Sequence, residues 1–186
     1  MTGIRVCLVC IILTAAYIAS TVLVSNLLFY NASNGSLIKL NDNIVGSKLI
    51  GQQFKSNIYF HGRPSAYNYI NDISGNSNLP YYSEKLKGKI SKNYNHFFKT
   101  NSGSKPDLNL IVESASGLDP HITYIGALSQ VNRIASNSTI NKAKLIQIIK
   151  EKSRPRIIGL FGEKIITVLE LNLELEKLYA TKTRSR

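Results

Sequence analysis

The sequence has only two cysteines among its 186 residues, and both, Cys7 and Cys10, lie close to the N-terminus. The rest of the chain has no thiol, which excludes disulfides, cysteine nucleophiles and zinc–thiolate sites from it. A domain there must be held together by its hydrophobic core. The length is sufficient, because a domain of about 140 residues buries roughly two-thirds of its unfolded surface.

Charged residues are absent from Val6 to Tyr30, where Ile, Leu, Val and Ala dominate. As an α-helix this stretch is about 37 Å long, enough to cross a hydrocarbon core of about 30 Å. A cleaved signal peptide is the alternative, but its apolar region normally has only ~7–15 residues. The sequence therefore favours an uncleaved transmembrane helix.

The flanks of this helix predict its orientation. Arg5 and the amino terminus are positive, whereas residues 31–38 carry no charge. Since positive flanks stay in the cytoplasm, we expect the following domain to be extracytoplasmic. The expected organisation is a cytoplasmic N-terminus (residues 1–5), a transmembrane helix (6–30), a linker (31–43), a folded domain (44–179) and a basic tail (180–186).

Acidic residues are few: 11 against 23 basic ones, which gives a formal net charge of +12. The basic residues are scattered from Lys39 to Arg186 without a basic stripe, and the domain is expected to be separated from cytoplasmic nucleic acid. We therefore predict no nucleic-acid partner. Attraction to anionic lipid headgroups is a possible by-product of the charge, so membrane lipid is an expected partner.

Hydrophobic spacing after the linker predicts interspersed helices and strands, and hence an α+β domain anchored by one N-terminal transmembrane helix. A helix capped by Ser83 has Leu86, Ile90, Tyr94 and Phe97 on one face. The other predicted elements are a buried strand over 108–112, helices over 120–135, 142–152 and 172–179, and a strand–turn–strand over 157–160 and 165–171.

The residues that a nucleotide-hydrolysing subunit needs are missing. Gly46 to Gly51 has the glycine spacing of a phosphate-binding loop, but Gln52 and Gln53 stand where Lys and Ser or Thr are required. No Asp-Lys-Thr-Gly stretch is present to accept a phosphate from ATP. We expect the chain not to be an ATPase itself, and to bind neither metal nor cofactor alone.

Asp119-Pro120-His121, preceded by Gly117, admits a structural and a chemical interpretation. Asp is a favourable N-cap residue and Pro suits the first turn, so the motif predicts the start of a helix. Alternatively, His121 is a general base oriented by Asp119. No nucleophile is fixed beside them in the sequence, so we favour the helix cap and assign no catalytic residue.

In the stretch His61-Gly62-Arg63-Pro64-Ser65, the last four residues are candidates for a partner contact. Arg63 can clamp an anion, or it can pair with a carboxylate of its own domain or of a partner. The sequence leaves these alternatives open.

The apolar helix contains two pairs of small residues four positions apart, Ala15 with Ala19 and Ala16 with Ser20. Small residues at this spacing let helix backbones approach closely in a membrane. The alternatives are packing against partner helices and an ordinary lipid anchor.

Three ordered segments behind one transmembrane helix resemble the KdpC family, the C subunits of Kdp potassium-transporting ATPases. The first runs from Gly46 to Phe54 and on through Tyr59 to Ala66. The second runs from Ser116 to Ile122, with Gln130, Val131 and Arg133 downstream, and the third is Val168 to Asn172.

The resemblance implies a non-catalytic subunit of an inner-membrane complex that imports potassium with high affinity. In such a complex a channel-like subunit selects the ion and a P-type ATPase subunit hydrolyses ATP, so ATP, Mg²⁺ and K⁺ belong to the complex. The C subunit is needed for assembly and is proposed to be a catalytic chaperone that raises the affinity for ATP. The alternative function is an anchored extracytoplasmic hydrolase using His121, Asp119 and a serine such as Ser65.

Overall fold

The computed structural model describes residues 2–40, 42–101, 103–155 and 161–184. They fall into two compact units, one within residues 1–47 and the other within residues 48–186. The first unit contains helix α1 (Thr2–Leu28), a short helix α2 (Tyr30–Ser33) and a hairpin of strands β1 (Leu37–Leu40) and β2 (Asn43–Ser47). The predicted linker is thus partly regular, since it contains most of α2 and all of β1.

Helix α1 has the length and composition of a membrane-crossing helix, with a mean hydropathy of 2.5 in its most apolar window. None of its residues is buried in the unit. Large side chains such as Ile11, Leu13 and Leu23 are each more than 60% exposed. An apolar surface of this extent suits a lipid environment and agrees with the predicted anchor.

In its described residues the second unit contains helices and one two-stranded sheet, so the mixture of helix and strand predicted from the sequence is confirmed. Its elements are α3 (Glu84–Thr100), a 3-10 helix (Leu108–Leu110), β3 (His121–Thr123), α4 (Tyr124–Ser129), α5 (Val131–Asn137), α6 (Lys142–Lys152), β4 (Ile165–Thr167) and α7 (Val168–Arg184). Strands β3 and β4 are antiparallel, with His121 opposite Thr167. Residues 48–83 are irregular.

The core of this unit lies between the small sheet and helices α4 to α7. Helix α6 contributes Leu145, Ile148 and Ile149, whose spacing of three and four residues places them on one face. Ile122 and Ile166 of the sheet are also buried. Each such side chain contributes about 1.5–3 kcal/mol on burial, so these positions fix how the helices sit on the sheet.

The predicted helix over 120–135 is wrong at its beginning. Residues 121–123 form strand β3, because Ile122 and Thr123 pair with β-branched residues of β4. The helix starts at Tyr124, where the hydroxyl of Thr123 accepts a hydrogen bond from the Gly126 N–H at 2.9 Å. Thr123, four residues after Asp119, is therefore the N-cap.

Two predicted strands are also corrected. Residues 108–110 form a 3-10 helix, because the Asp107 carboxylate accepts the Leu108 N–H at 2.9 Å and starts a turn. The strand predicted over 165–171 ends at Thr167, and α7 follows directly. Its predicted partner, 157–160, lies outside the described residues, and β4 pairs with β3.

Helices α3 and α6 confirm the predictions made from their apolar faces. Helix α6 has the predicted bounds, and Ser83 occupies the N-cap position of α3, although its side chain makes no capping hydrogen bond. The helix predicted over 172–179 lies within α7. Helix α7 also continues into the predicted basic tail, as far as Arg184.

Candidate functional site

Backbone hydrogen bonds bring the irregular segment 51–65, the turn before β3 and the start of α7 together. The Gly51 N–H donates to the Leu118 carbonyl at 2.7 Å, and the Val168 N–H donates to the Pro120 carbonyl at 2.9 Å. The Ser114 N–H donates to the Pro64 carbonyl at 3.1 Å. Segments distant in sequence therefore meet around Asp119-Pro120-His121.

The Asp119 carboxylate is bound on both oxygens. Its Oδ2 lies 3.0 Å from Nη1 of Arg63. Its Oδ1 accepts the His121 backbone N–H at 3.0 Å and lies 3.4 Å from Nδ1 of the same histidine. Burial alone raises the pKa of Asp119, but hydrogen bonds from His121 and Arg63 outweigh it and hold this pKa below its usual value.

This arrangement corrects the predicted helix cap. Asp119 accepts an N–H two residues ahead, as a cap would, but the residues that follow form strand β3 and not a helix. Of the alternatives for Arg63, the ion pair with a carboxylate of its own domain is the one the structure shows. Its Nη2 also donates to the Glu113 carbonyl at 3.4 Å. Arg63 therefore ties segment 51–65 to the residues on both sides of Gly117.

His121 is held by Asp119 but has no nucleophile bonded to it. Its Nε2 is buried and has no hydrogen-bond partner among the residues that the structure describes. The Ser65 hydroxyl accepts hydrogen bonds from the Tyr67 and Tyr69 N–H groups, at 3.3 and 3.1 Å, and so stabilises a local turn. The structure joins Asp119, His121 and Arg63, and it gives Ser65 a turn-forming role.

Glycine is required where the segments touch. A Cβ on Gly51 would lie 2.6 Å from the Asp119 carbonyl oxygen, which is closer than real Cβ contacts allow. Gly117 has a φ of +69°, and a Cβ there would lie 2.7 Å from the Gly75 carbonyl oxygen. Gly51 thus allows close backbone approach, and Gly117 allows both the approach and the left-handed turn.

Tyr69, in the irregular segment, is a further neighbour of the ion pair. Its hydroxyl donates a hydrogen bond to the Arg63 carbonyl. Burial and the neighbouring Asp119 charge raise the pKa of Tyr69 to about 12, so the phenol stays protonated. Gly62 faces this hydroxyl, since a Cβ there would be 2.7 Å from it.

A buried polar network holds the backbone just before this site, and sequence reasoning assigned it no role. The Gln130 side chain accepts the His61 N–H at 2.8 Å and donates to the His61 carbonyl at 3.0 Å. Asn172 holds Phe60 in the same two-sided way, at 2.8 and 2.9 Å. Gln130 and Asn172 are at most 2% exposed, and polar residues flanked by core positions are the sequence signal for them.

Arg133 is the charged member of this network and is 1% exposed. Its Nε donates to Asn101 Oδ1 at 2.9 Å, Nη1 to the Asn57 carbonyl at 2.6 Å, and Nη2 to Gln130 Oε1 at 2.8 Å. Burial lowers the pKa of Arg133 to about 10, so the side chain is still positive at neutral pH. Burial and the Arg133 charge lower the pKa of His61 to about 4, so His61 is neutral there.

The small residues of α1 are exposed like the rest of the helix, and several of its hydroxyls are satisfied within it. Thr14 and Thr21 donate to the carbonyls of Cys10 and Tyr17, both at 2.8 Å, and Ser20 also donates to Tyr17. Hydroxyls bonded in this way are compatible with lipid. Packing of Ala15, Ala16, Ala19 and Ser20 against partner helices stays a prediction.

Within the described ranges no group of three or more His, Cys, Asp or Glu residues could hold a metal ion. The site as built is a set of ion-pair and backbone contacts that join three chain segments.

Comparison with known proteins identifies the family. The family model described as "K+-transporting ATPase, c chain" matches residues 1–177. The chain belongs to the KdpC family. The match includes all three segments on which the resemblance to KdpC rests, and the prediction made from them is confirmed.

Several curated proteins named "Potassium-transporting ATPase KdpC subunit" are similar to the chain. The protein of Bacillus mycoides (strain KBAB4) is 40% identical over 151 residues, which cover 80% of this chain and 78% of the relative. That of Caldanaerobacter subterraneus is 38% identical over 155 residues, 82% and 80% of the two chains. That of Gloeobacter violaceus is 37% identical over 149 residues, 80% and 79% of the two chains.

Proposed function

We propose that the chain is a non-catalytic accessory subunit of an ATP-driven, high-affinity potassium import complex of the Kdp type. Family membership supports the complex. The observation that supports a non-catalytic role is the state of Asp119, whose two carboxylate oxygens are occupied by Arg63 and His121. These bonds join chain segments, which is a structural use of the carboxylate.

In this proposal the chemistry resides in the partner subunits. A channel-like subunit selects potassium, and a P-type ATPase subunit binds ATP and Mg²⁺ and hydrolyses the nucleotide. The sequence supports this division, because the lysine and hydroxyl residue of a phosphate-binding loop are replaced by Gln52 and Gln53. The chain itself contributes to assembly and, as a catalytic chaperone, raises the ATPase subunit's affinity for nucleotide.

Helix α1 anchors the chain in the inner membrane, with the N-terminus in the cytoplasm and residues 48–184 outside. The positive flank at Arg5 supports this orientation. ATP is cytoplasmic, so this topology separates it from the folded unit. An effect on nucleotide affinity is therefore transmitted through α1 to the helices of the partners.

An anchored extracytoplasmic hydrolase is the second candidate. The 3.4 Å approach of Asp119 to His121 Nδ1 favours it, as does the His121 Nε2, which has no partner among the described residues, because a catalytic histidine is oriented in this way. The burial of that Nε2 and the turn-forming bonds of Ser65 argue against it. A substrate cannot reach a buried nitrogen without rearrangement.

Purification of the chain with its partners tests the proposal. A tagged chain should retrieve an ion-selecting subunit and a P-type ATPase subunit from detergent-solubilised membranes. In that complex His121→Ala should leave part of the potassium-stimulated ATPase activity, as should His96→Ala at an exposed histidine of α3. A tagged chain that retrieves no ATPase subunit, or a hydrolase activity of the chain alone that His121→Ala abolishes, would contradict the proposal.

A further inference from the structure

A cavity of about 300 Å³ lies between the His61–Ser65 stretch and helix α3. Its walls are rich in hydrogen-bonding side chains, among them His61, Arg63, Asn68, Asn93, His96 and Asn101. No carboxylate is among the described residues that line it. The walls are therefore polar, and nothing negatively charged in them repels an anion.

An unmatched positive charge lies directly behind this wall. Arg133 contacts Asn101, a lining residue, through Nε, and its charge lowers the pKa of His61, another lining residue. Within the described part of the chain no carboxylate lies within ion-pair distance of Arg133, whereas Arg63 is matched by Asp119. A buried charge without a counter-ion is costly, and an anion nearby relieves that cost.

We propose that this cavity is a binding site for a small oxyanion such as inorganic phosphate. The charge of Arg133, which lies behind the lining residues Asn101 and His61, makes the electrostatic potential in the cavity positive. Direct donors are side chains that line the open part of the cavity, the amide of Asn68 at the rim and the imidazole of His96 in helix α3. The volume accommodates a single small anion with a few waters, since a water molecule takes up about 30 Å³. The site is independent of the proposed accessory function.

The test uses the full chain in detergent with inorganic phosphate as the probe and chloride at equal ionic strength as the reference. We expect phosphate to raise the Tm with the logarithm of its concentration once that concentration exceeds Kd, and to broaden the phosphorus NMR line of the free ion. Phosphate at high concentration also stabilises proteins in general by exclusion from their surfaces, but that effect is small at millimolar concentration and grows in proportion to concentration. A logarithmic response that begins at millimolar phosphate therefore distinguishes binding.

Asn101→Asp tests the electrostatic cause. It places a carboxylate oxygen where Asn101 Oδ1 now lies, 2.9 Å from Arg133 Nε, and so supplies the missing counter-ion within the protein. We expect phosphate affinity to fall at least tenfold. Asn132→Asp is the matched control, because it makes the same charge change at an exposed position next to Arg133 in helix α5. The control should bind phosphate within about twofold of wild type.

Asn68→Asp keeps the test valid if Asn101→Asp does not fold. Asn68 is exposed at the cavity rim and has a φ of +53°, which aspartate also tolerates. A carboxylate there should repel phosphate and weaken its binding severalfold without affecting the fold. The proposal is overturned if millimolar phosphate changes neither the Tm of the wild-type chain nor the phosphorus NMR line beyond the chloride reference. It is equally overturned if Asn68→Asp and every folded cavity variant bind phosphate as tightly as Asn132→Asp.

Discussion

The ion pair between Arg63 and Asp119 is the contact whose removal tests the site most sharply. The two side chains are 21% and 27% exposed. Exposed pairs contribute about 0–1 kcal/mol, whereas removal of one partner from a fully buried pair costs about 3–5 kcal/mol. Since this pair lies between those limits, we expect Asp119→Asn to lower the free energy of unfolding by about 2 kcal/mol.

A double-mutant cycle isolates the pair from the other bonds of Asp119. The asparagine amide oxygen can still accept the His121 N–H, and Arg63→Met removes the charge while keeping most of the apolar stem. The measurement is urea unfolding of the full chain in detergent, for the wild type, both single variants and the double variant. We expect a coupling energy of about 1–2 kcal/mol, of the size found for residues in direct contact.

The contribution of Asp119 to the free energy of unfolding depends on pH, and the direction of that dependence is defined. The pKa of Asp119 is about 3.9 in an unfolded chain and lower in the folded one. Its stabilisation is therefore complete above the unfolded value and is lost as pH falls through the folded value. Asp119→Asn should flatten this acid limb. A coupling energy below about 0.3 kcal/mol at neutral pH, or an acid limb unchanged in Asp119→Asn, would refute the reasoning.

Three further predictions concern backbone contact and the membrane. Gly51→Ala should destabilise the chain by about 1–3 kcal/mol, because its Cβ meets the Asp119 carbonyl oxygen. Gly88→Ala, which has open space in α3, should stabilise it by about 0.5–1 kcal/mol in the same unfolding assay; equal effects would contradict the close approach. Ala16→Leu with Ala19→Leu should lower the yield of assembled complex in pull-downs while membrane insertion is unchanged, since leucine is apolar but separates packed helices. A normal yield would make α1 a plain anchor. Protease added to intact spheroplasts should digest the folded unit, and digestion only after lysis would reverse the predicted orientation.

Regular amphipathic patterns made part of the fold predictable. Helices α3 and α6 follow from apolar residues three and four positions apart, a local property that the burial of Phe97 and Ile149 reflects. The start of α4 was missed because Asp119 and Thr123 are both good N-cap residues. Strand pairing between β3 and β4 decides between them, and that contact joins segments far apart in sequence.

The site was predictable to a similar extent. Asp119, His121 and Arg63 stood out by residue type, and the sequence left the partner of Arg63 open, because an ion pair between distant segments has no local signature. Gln130 and Asn172 were noted only for the family resemblance, and their structural role was missed for a related reason. Their side chains bond the backbone of an irregular segment, and no spacing rule links an amide to such a segment.

The most direct test of the accessory role compares the partner subunits with and without this chain. Potassium-stimulated ATP hydrolysis is measured on both preparations over a range of ATP concentrations. The account predicts that the preparation without the chain assembles poorly and has a raised KM for ATP, and that added chain restores both. An assembly that forms without the chain and hydrolyses ATP with an unchanged KM and rate would contradict it.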